Sequence, residues 1–177
     1  MSKEILLVID MQNDFIDGSL GTKEAKQIVS KVIEIVNTFE KEKKDIYYTK
    51  DTHGKNYLET QEGKKLPVEH CIKNTLGWEI PTLILGSYDH QIFEKETFGS
   101  KLLFDTLKEK YQDNLDTIML VGLCTDICVI SNAILAKAYF PNVRVVVDAS
   151  ATAGVTKELY QKALDVMKSC QIEIINA

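Results

Sequence analysis

No basic stripe, block of like charge, low-complexity tract or internal repeat occurs in the 177 residues of this sequence. Its 21 Lys and Arg are interspersed with 26 Asp and Glu, for a net charge of -5. That balance repels nucleic acid and anionic membrane surfaces, so neither is expected as a partner and a small molecule is favoured. Long apolar runs are missing too. The N-terminal MSKEILLVID is too short and wrongly flanked for a signal peptide or a membrane span, and a cytoplasmic location is expected. The four cysteines include no pair at the two-residue spacing of a redox motif or zinc knuckle, since three residues separate Cys124 from Cys128. With no secretion signal, reduced thiols are expected, which argues against a disulfide framework and a thiol redox protein.

What is present is an ordinary globular composition, 45% apolar and 27% charged, and residues 1–177 are read as a single domain with a full core. Short β-branched apolar runs at 5–10, 45–50, 82–86, 117–122, 143–149 and 172–175 read as strands. Amphipathic stretches at 23–41, 100–110, 126–138 and 156–169 read as helices; the first places Ile28, Val32, Ile35, Val36 and Phe39 on one face. About six strands interleaved with helices imply right-handed crossovers. The expected fold is therefore α/β, a three-layer αβα arrangement around a doubly wound, mainly parallel sheet. Ligands of such sheets bind beyond the carboxyl ends of the strands. Asp10 ends the first strand, Asp51 follows the second, and the turn at Gly122 to Thr125 follows the run at 117–122. The stretch 52–81 shows neither periodicity, and a loop this long in a small domain is usually functional.

Four features carry chemistry. In Gly122-Leu123-Cys124-Thr125-Asp126-Ile127-Cys128, a glycine turn leaves an apolar strand and a Thr/Asp pair caps the next helix, which puts Cys128 in its first turn. The unpaired N–H groups and the helix dipole there favour thiolate, and the same N–H groups suit an oxyanion. Asp10 places one carboxylate at the end of a buried strand, where burial raises its pKa into the range of a proton carrier; Asp14 reads as a local cap or pair. Lys95 lies just before a helix, between two acids, and gains meaning only beside the other two residues. Asp51-Thr52-His53, with Glu59, Glu62 and His70 downstream, offers carboxylate and imidazole donors for a borderline divalent ion such as zinc, iron or manganese. His90 has no such company and reads as a surface residue. Taken singly, Cys128 also fits a small buried hydrophobe, Asp10 a turn former and Lys95 a solvated surface charge.

Three motifs, Asp10 to Phe15 (D-x-Q-x-D-F), Lys95 with Phe98, Gly99 and Ser100, and Gly122 to Val129 (G-x-x-T-D-x-C-V), resemble those of the isochorismatase-like hydrolase superfamily, most closely its nicotinamidase branch. The resemblance runs over nearly the whole chain. It implies a metal-dependent cysteine amidohydrolase that converts nicotinamide and water to nicotinate and ammonia through a Cys thioester. It makes Cys128 the nucleophile, Asp10 the general acid/base and Lys95 the electrostatic partner. A cis Leu123–Cys124 peptide is implied as well, turning the backbone N–H groups of Cys124 and Cys128 toward the oxyanion, with Phe15 and Leu123 against the substrate. For the metal it implies Asp51, His53 and His70, with a further ligand that is Glu59 or Glu62; Glu59 is preferred for its spacing from His53. A homo-oligomer is expected by the same analogy. The tryptophan expected shortly before His70 is absent, that stretch being Leu66 to Glu69, which bears on the substrate more than on the chemistry. The rivals are another amide or carbamoyl substrate on the same triad, an isochorismate-type hydrolase, and a non-catalytic metal-binding module.

Overall fold

The computed structural model describes residues 3–112 and 114–177. Its strands are β1 (Glu4–Ile9), β2 (Asp45–Asp51), β3 (Gln91–Lys95), β4 (Thr117–Leu123), β5 (Arg144–Ala153) and β6 (Glu173–Ile175). They form one sheet in the order β3-β2-β1-β4-β5-β6 with every pairing between them parallel. The helices are α1 (Asn13–Ile16), α2 (Lys23–Lys41), α3 (Gln61–Lys65), α4 (Thr82–Leu85), α5 (Lys101–Tyr111), α6 (Ile130–Tyr139) and α7 (Lys157–Ser169).

The central strand shows why the layers form. Side chains alternate across a strand, so Ile5, Leu7 and Ile9 of β1 face one way and Leu6 and Val8 the other, all fully buried. The first set packs with Leu103, Phe104 and Leu107 of α5, Ala133 of α6, and Leu164 and Met167 of α7. The second set packs against Ile28, Val32, Ile35, Val36 and Phe39, the stripe of α2 foreseen from its period. Each such aliphatic side chain contributes roughly 1.5–3 kcal/mol on burial, which outweighs weak local preferences. α2 begins where the Thr22 hydroxyl accepts from Ala25 N, and α5 where Ser100 Oγ accepts from Leu103 N. Among the described residues no helix is long and apolar enough to cross a membrane.

One strand lies elsewhere than expected. Residues 82–86 form the single turn α4, with Leu83 exposed and Ile84 buried, between Pro81 and Gly86. Gly86 takes φ +73, and a Cβ there would overlap the Glu40 carboxylate. The third strand is instead Gln91–Lys95, an edge strand whose charges hide its alternation: Phe93 and Lys95 are buried while Ile92 is exposed. This correction places Lys95 at a strand's carboxyl end, in register with Asp51.

Candidate active site

Three chain features bring the site together at the carboxyl edge of the sheet. At the end of β1 the chain turns at Asp10, which takes the left-handed φ of +45. Asp10 N donates to Thr49 Oγ1 (3.1 Å), and that hydroxyl donates to Asp10 Oδ1 (2.6 Å). At the end of β4, Gly122 takes φ +117 because its backbone passes against Ile9, where a Cβ would overlap the Ile9 carbonyl oxygen. The Leu123–Cys124 peptide that follows is cis. Cys128 then lies within a π turn, Thr125–Val129, in which Val129 N donates to Cys124 O at 3.0 Å. Asn132, on the next turn, holds this segment: its amide donates to Cys128 O (2.8 Å) and Phe98 O (3.1 Å) and accepts from Ser100 N (3.0 Å). The residue is polar, fully buried and four positions after Cys128, a signal available in the sequence but not used.

The three residues expected to act together do meet. Lys95 Nζ lies 2.7 Å from Asp10 Oδ2, 3.5 Å from Cys128 Sγ and 3.3 Å from Asp51 Oδ1. Thr49 thus holds one oxygen of the Asp10 carboxylate, and the other pairs with the Lys95 ammonium. All of these side chains are buried, Cys128 at 4% exposure.

Burial dominates the electrostatics. It raises the Asp10 carboxyl above its ordinary value against the opposing charge of Lys95. Burial raises the Cys128 thiol well above the ordinary range, helped by the charge of Asp10 and opposed by Lys95. Desolvation would lower Lys95, but Asp10, Cys128 and Asp51 together raise it, so it stays charged. Burial thus opposes the thiolate-favouring effect expected of the helix N-terminus at Cys128. One lysine already faces two carboxylates, and a third anion is not compensated. Moving the Cys128 proton to Asp10 avoids this, since the negative charge shifts from one neighbour of Lys95 to another and the buried net charge is unchanged.

The second cluster joins the first through Asp51. Its Oδ1 faces Lys95, while Oδ2 lies 2.9 Å from His53 Nε2 and 3.5 Å from His70 Nε2. The ligand atoms of Asp51, His53 and His70 all lie within 4.8 Å of one another. Burial would raise the Asp51 carboxyl, but hydrogen bonds with both histidines and the charge of Lys95 hold it well below the carboxylate range. Glu62 Oε1 lies 3.9 Å from His53 Nε2 and 3.8 Å from His70 Nε2, whereas Glu59 is exposed. Of the two acids the sequence left open, Glu62, on the first turn of α3 capped by Thr60, is the one beside the histidines, not the preferred Glu59.

These donors fit a divalent ion. Atoms bound at about 2.0–2.2 Å stand roughly 3–3.5 Å apart around zinc; the Asp51 to histidine separations of 2.9 and 3.5 Å match this, and those from Glu62, at 3.9 and 3.8 Å, are wider. The Val68 carbonyl lies 2.8 Å from His70 Nδ1 and must receive its N–H, so a neutral ring presents an Nε2 lone pair to Asp51 Oδ2, and the hydrogen bond to Asp51 that raises His70 needs the ring protonated. Two acceptors facing each other need a proton or a cation between them. Tyr57, fully buried, packs 4.7 Å from the His53 ring and 5.0 Å from that of His70, and Phe15 packs 5.5 Å from His70.

Other expectations change. His90 is not a surface group: Nε2 lies 2.9 Å from the buried Glu40 Oε1. Asp14 accepts locally, Oδ1 from Ser19 N at 3.4 Å, and also reaches across the fold, with Oδ2 accepting from Cys71 N at 2.8 Å. Trp78 is buried and donates from Nε1 to Thr52 Oγ1 (2.8 Å), with Lys50 Nζ over its ring. All four cysteines are free thiols. Surface grooves of about 440 and 510 Å³ lie away from the triad, beside Glu40 and Lys110 and beside Thr152 and Tyr160.

The chain is similar to several known proteins. The nicotinamidase/pyrazinamidase of Mycobacterium tuberculosis is 25% identical over 182 residues, covering 96% of this chain and 97% of its own. The pyrazinamidase of Pyrococcus horikoshii, solved in complex with zinc, superposes with a TM-score of 0.85 at 28% identity over 99% of both chains. The N-carbamoylsarcosine amidase of Thermoplasma acidophilum gives 0.79 at 25% identity, covering 97% of this chain and 95% of that one. A family model described as the isochorismatase domain matches residues 4–177, and the chain belongs to the isochorismatase family.

Proposed function

We propose that this protein is a metal-dependent cysteine amidohydrolase that hydrolyses nicotinamide to nicotinate and ammonia. The observation that carries the reading is Lys95 Nζ buried among Asp10 Oδ2, Cys128 Sγ and Asp51 Oδ1, at 2.7, 3.5 and 3.3 Å. Asp10 takes the thiol proton as Sγ attacks the carboxamide carbon, and Lys95 balances the charge throughout. The backbone N–H groups of Cys124 and Cys128 receive the oxyanion. The C–N bond breaks as Asp10 returns the proton to the leaving nitrogen, giving ammonia and a Cys128 thioester. Asp10 then takes a proton from water, which adds to the thioester carbon, and the acid leaves as the thiol is restored. Asp51, His53, His70 and Glu62 would hold a divalent ion, which supplies Lewis-acid coordination for a heteroaromatic nitrogen or water. Phe15 and Leu123 form the apolar wall for the substrate ring. The reading includes a cytoplasmic homo-oligomer.

A second reading keeps the triad and changes the substrate to another amide or carbamoyl compound. It is favoured by Tyr57 packing on both histidines in a chain that has no tryptophan in the segment before His70. Ammonia release from nicotinamide, measured before and after chelation and again with zinc, iron or manganese restored, separates the two. Release that stops on chelation and returns with metal supports the nicotinamidase reading. No release from nicotinamide, with release from another amide, replaces it with the second.

A further inference from the structure

β1 and β2 pair only as far as Val8 and Tyr48, because the chain turns away at Asp10. Asp51, three residues further along β2, then has no strand on that side. The side chain of Gln12, fully buried, takes the strand's place. Its Oε1 accepts from Asp51 N (2.7 Å), and its Nε2 donates to Asp51 O (2.8 Å) and to Trp78 O (2.9 Å). The orientation of the amide is fixed by its partners, since one N–H needs an acceptor and two carbonyls need donors. The next two residues continue the contact with the loop that carries His70. Asn13 N donates to Glu79 O (2.9 Å) and Asn13 Nδ2 to Leu76 O (2.8 Å). Asp14 N donates to Gly77 O (2.9 Å), and Asp14 Oδ2 accepts from the N–H of Cys71, the residue after His70. A Cβ at Gly77 would collide with the Asp14 carboxylate, so the loop is shaped to this contact.

We infer that Gln12 and Asp14 are positioning residues of the metal site: Gln12 fixes the backbone from which Asp51 reaches both Lys95 and the histidines, and Asp14 fixes the backbone that carries His70. Neither side chain touches the donor atoms. Each acts on one of two ligands that come from separate segments of chain, and together they set the separation of those segments. The inference rests on the reading of Asp51, His53, His70 and Glu62 as metal ligands.

The test is zinc affinity of the purified full-length protein, measured by competition with a chromophoric chelator, with Cys128 alkylation in the metal-free protein as a second readout. Gln12→Met, similar in length but without the amide, should weaken zinc binding on the order of 10–100-fold. Asp14→Ala should weaken it about 10-fold, while Asp14→Asn, which keeps an acceptor oxygen for Cys71 N, should restore wild-type affinity. Tyr48→Phe removes a buried hydrogen bond to Ile84 O on the same strand and serves as the stability control; it should leave zinc affinity unchanged. Equal affinity in wild type, Gln12→Met and Asp14→Ala overturns the inference alone. So does a loss in Tyr48→Phe as large as that in Gln12→Met, which would make the effect general destabilisation. Wild-type protein that binds no zinc, iron or manganese overturns the metal reading and the inference with it.

Discussion

Asp10, Lys95 and Cys128 stand at or just beyond the carboxyl ends of β1, β3 and β4, where sheet order brings them together. His53, His70 and Glu62 instead hang from the long connection between β2 and β3, which has little regular structure of its own and is held by Gln12, Asn13 and Asp14. The first cluster inherits its geometry from the hydrophobic core. The second depends on a handful of hydrogen bonds between loops. Asp51 belongs to both, one oxygen toward Lys95 and the other toward the histidines, so the two halves share a charge while differing in what positions them.

Substitutions can break that division or sharpen it. The largest effect is expected for Lys95→Met, which strands the carboxylates of Asp10 and Asp51 in the interior. It should cost about 3–5 kcal/mol in urea unfolding and abolish ammonia release. Asp51→Asn should come next, lowering zinc affinity while speeding alkylation of Cys128, because removing one of the two carboxylates that face Lys95 leaves its charge free to balance a thiolate. His53→Ala should weaken zinc on the order of 100-fold and leave alkylation of the metal-free protein within about twofold of wild type. If His53→Ala changed the alkylation rate as much as Asp51→Asn does, the halves would not be separable. Glu62→Ala should weaken zinc about 10-fold and Glu59→Ala not at all, a comparison read by the same competition assay.

The smallest effect lies outside the site, at the loop leading into β3. Burial would raise the Glu40 carboxyl, but hydrogen bonds from His90, Ser87 N and Tyr88 N hold it below its ordinary value. A depressed carboxylate stabilises the fold above its unfolded pKa, and that stability is lost as pH falls through the folded value. Glu40→Gln should thus be less stable than wild type by about 1 kcal/mol at neutral pH, with the gap closing below about pH 4.

Much of this was legible before the structure. The β1, β2, β4 and β5 runs and the α2 stripe are strongly patterned because both faces of the sheet are buried, and Asp10 and Cys128 stand out against apolar neighbours. The third strand was not legible. Thr82 to Leu85 has strand-like composition, but Pro81 and Gly86 confine it to one turn, while Gln91 to Lys95 is an edge strand whose polar residues face solvent. Lys95, taken singly, therefore reads as a surface lysine; only its company with Asp10 and Cys128 marked it, and register with Asp51 places it inside. Spacing alone favoured Glu59 over Glu62, because the cap by Thr60 that decides between them is a local backbone event. The helix-dipole argument for Cys128 leaves out burial, which acts in the opposite direction and is not read from sequence spacing. Gln12 and Asp14 sat in a recognised motif, but their partners lie 39 to 66 positions away and cannot be read from spacing.

The role of Cys128 as nucleophile stands or falls on turnover by Cys128→Ala, assayed with zinc bound and with zinc affinity checked against wild type. No ammonia above background from a variant that still binds zinc like wild type is the expected result. Turnover within about tenfold of wild type, against a loss of roughly 10⁴-fold or more for a missing nucleophile, would contradict a covalent route through Sγ.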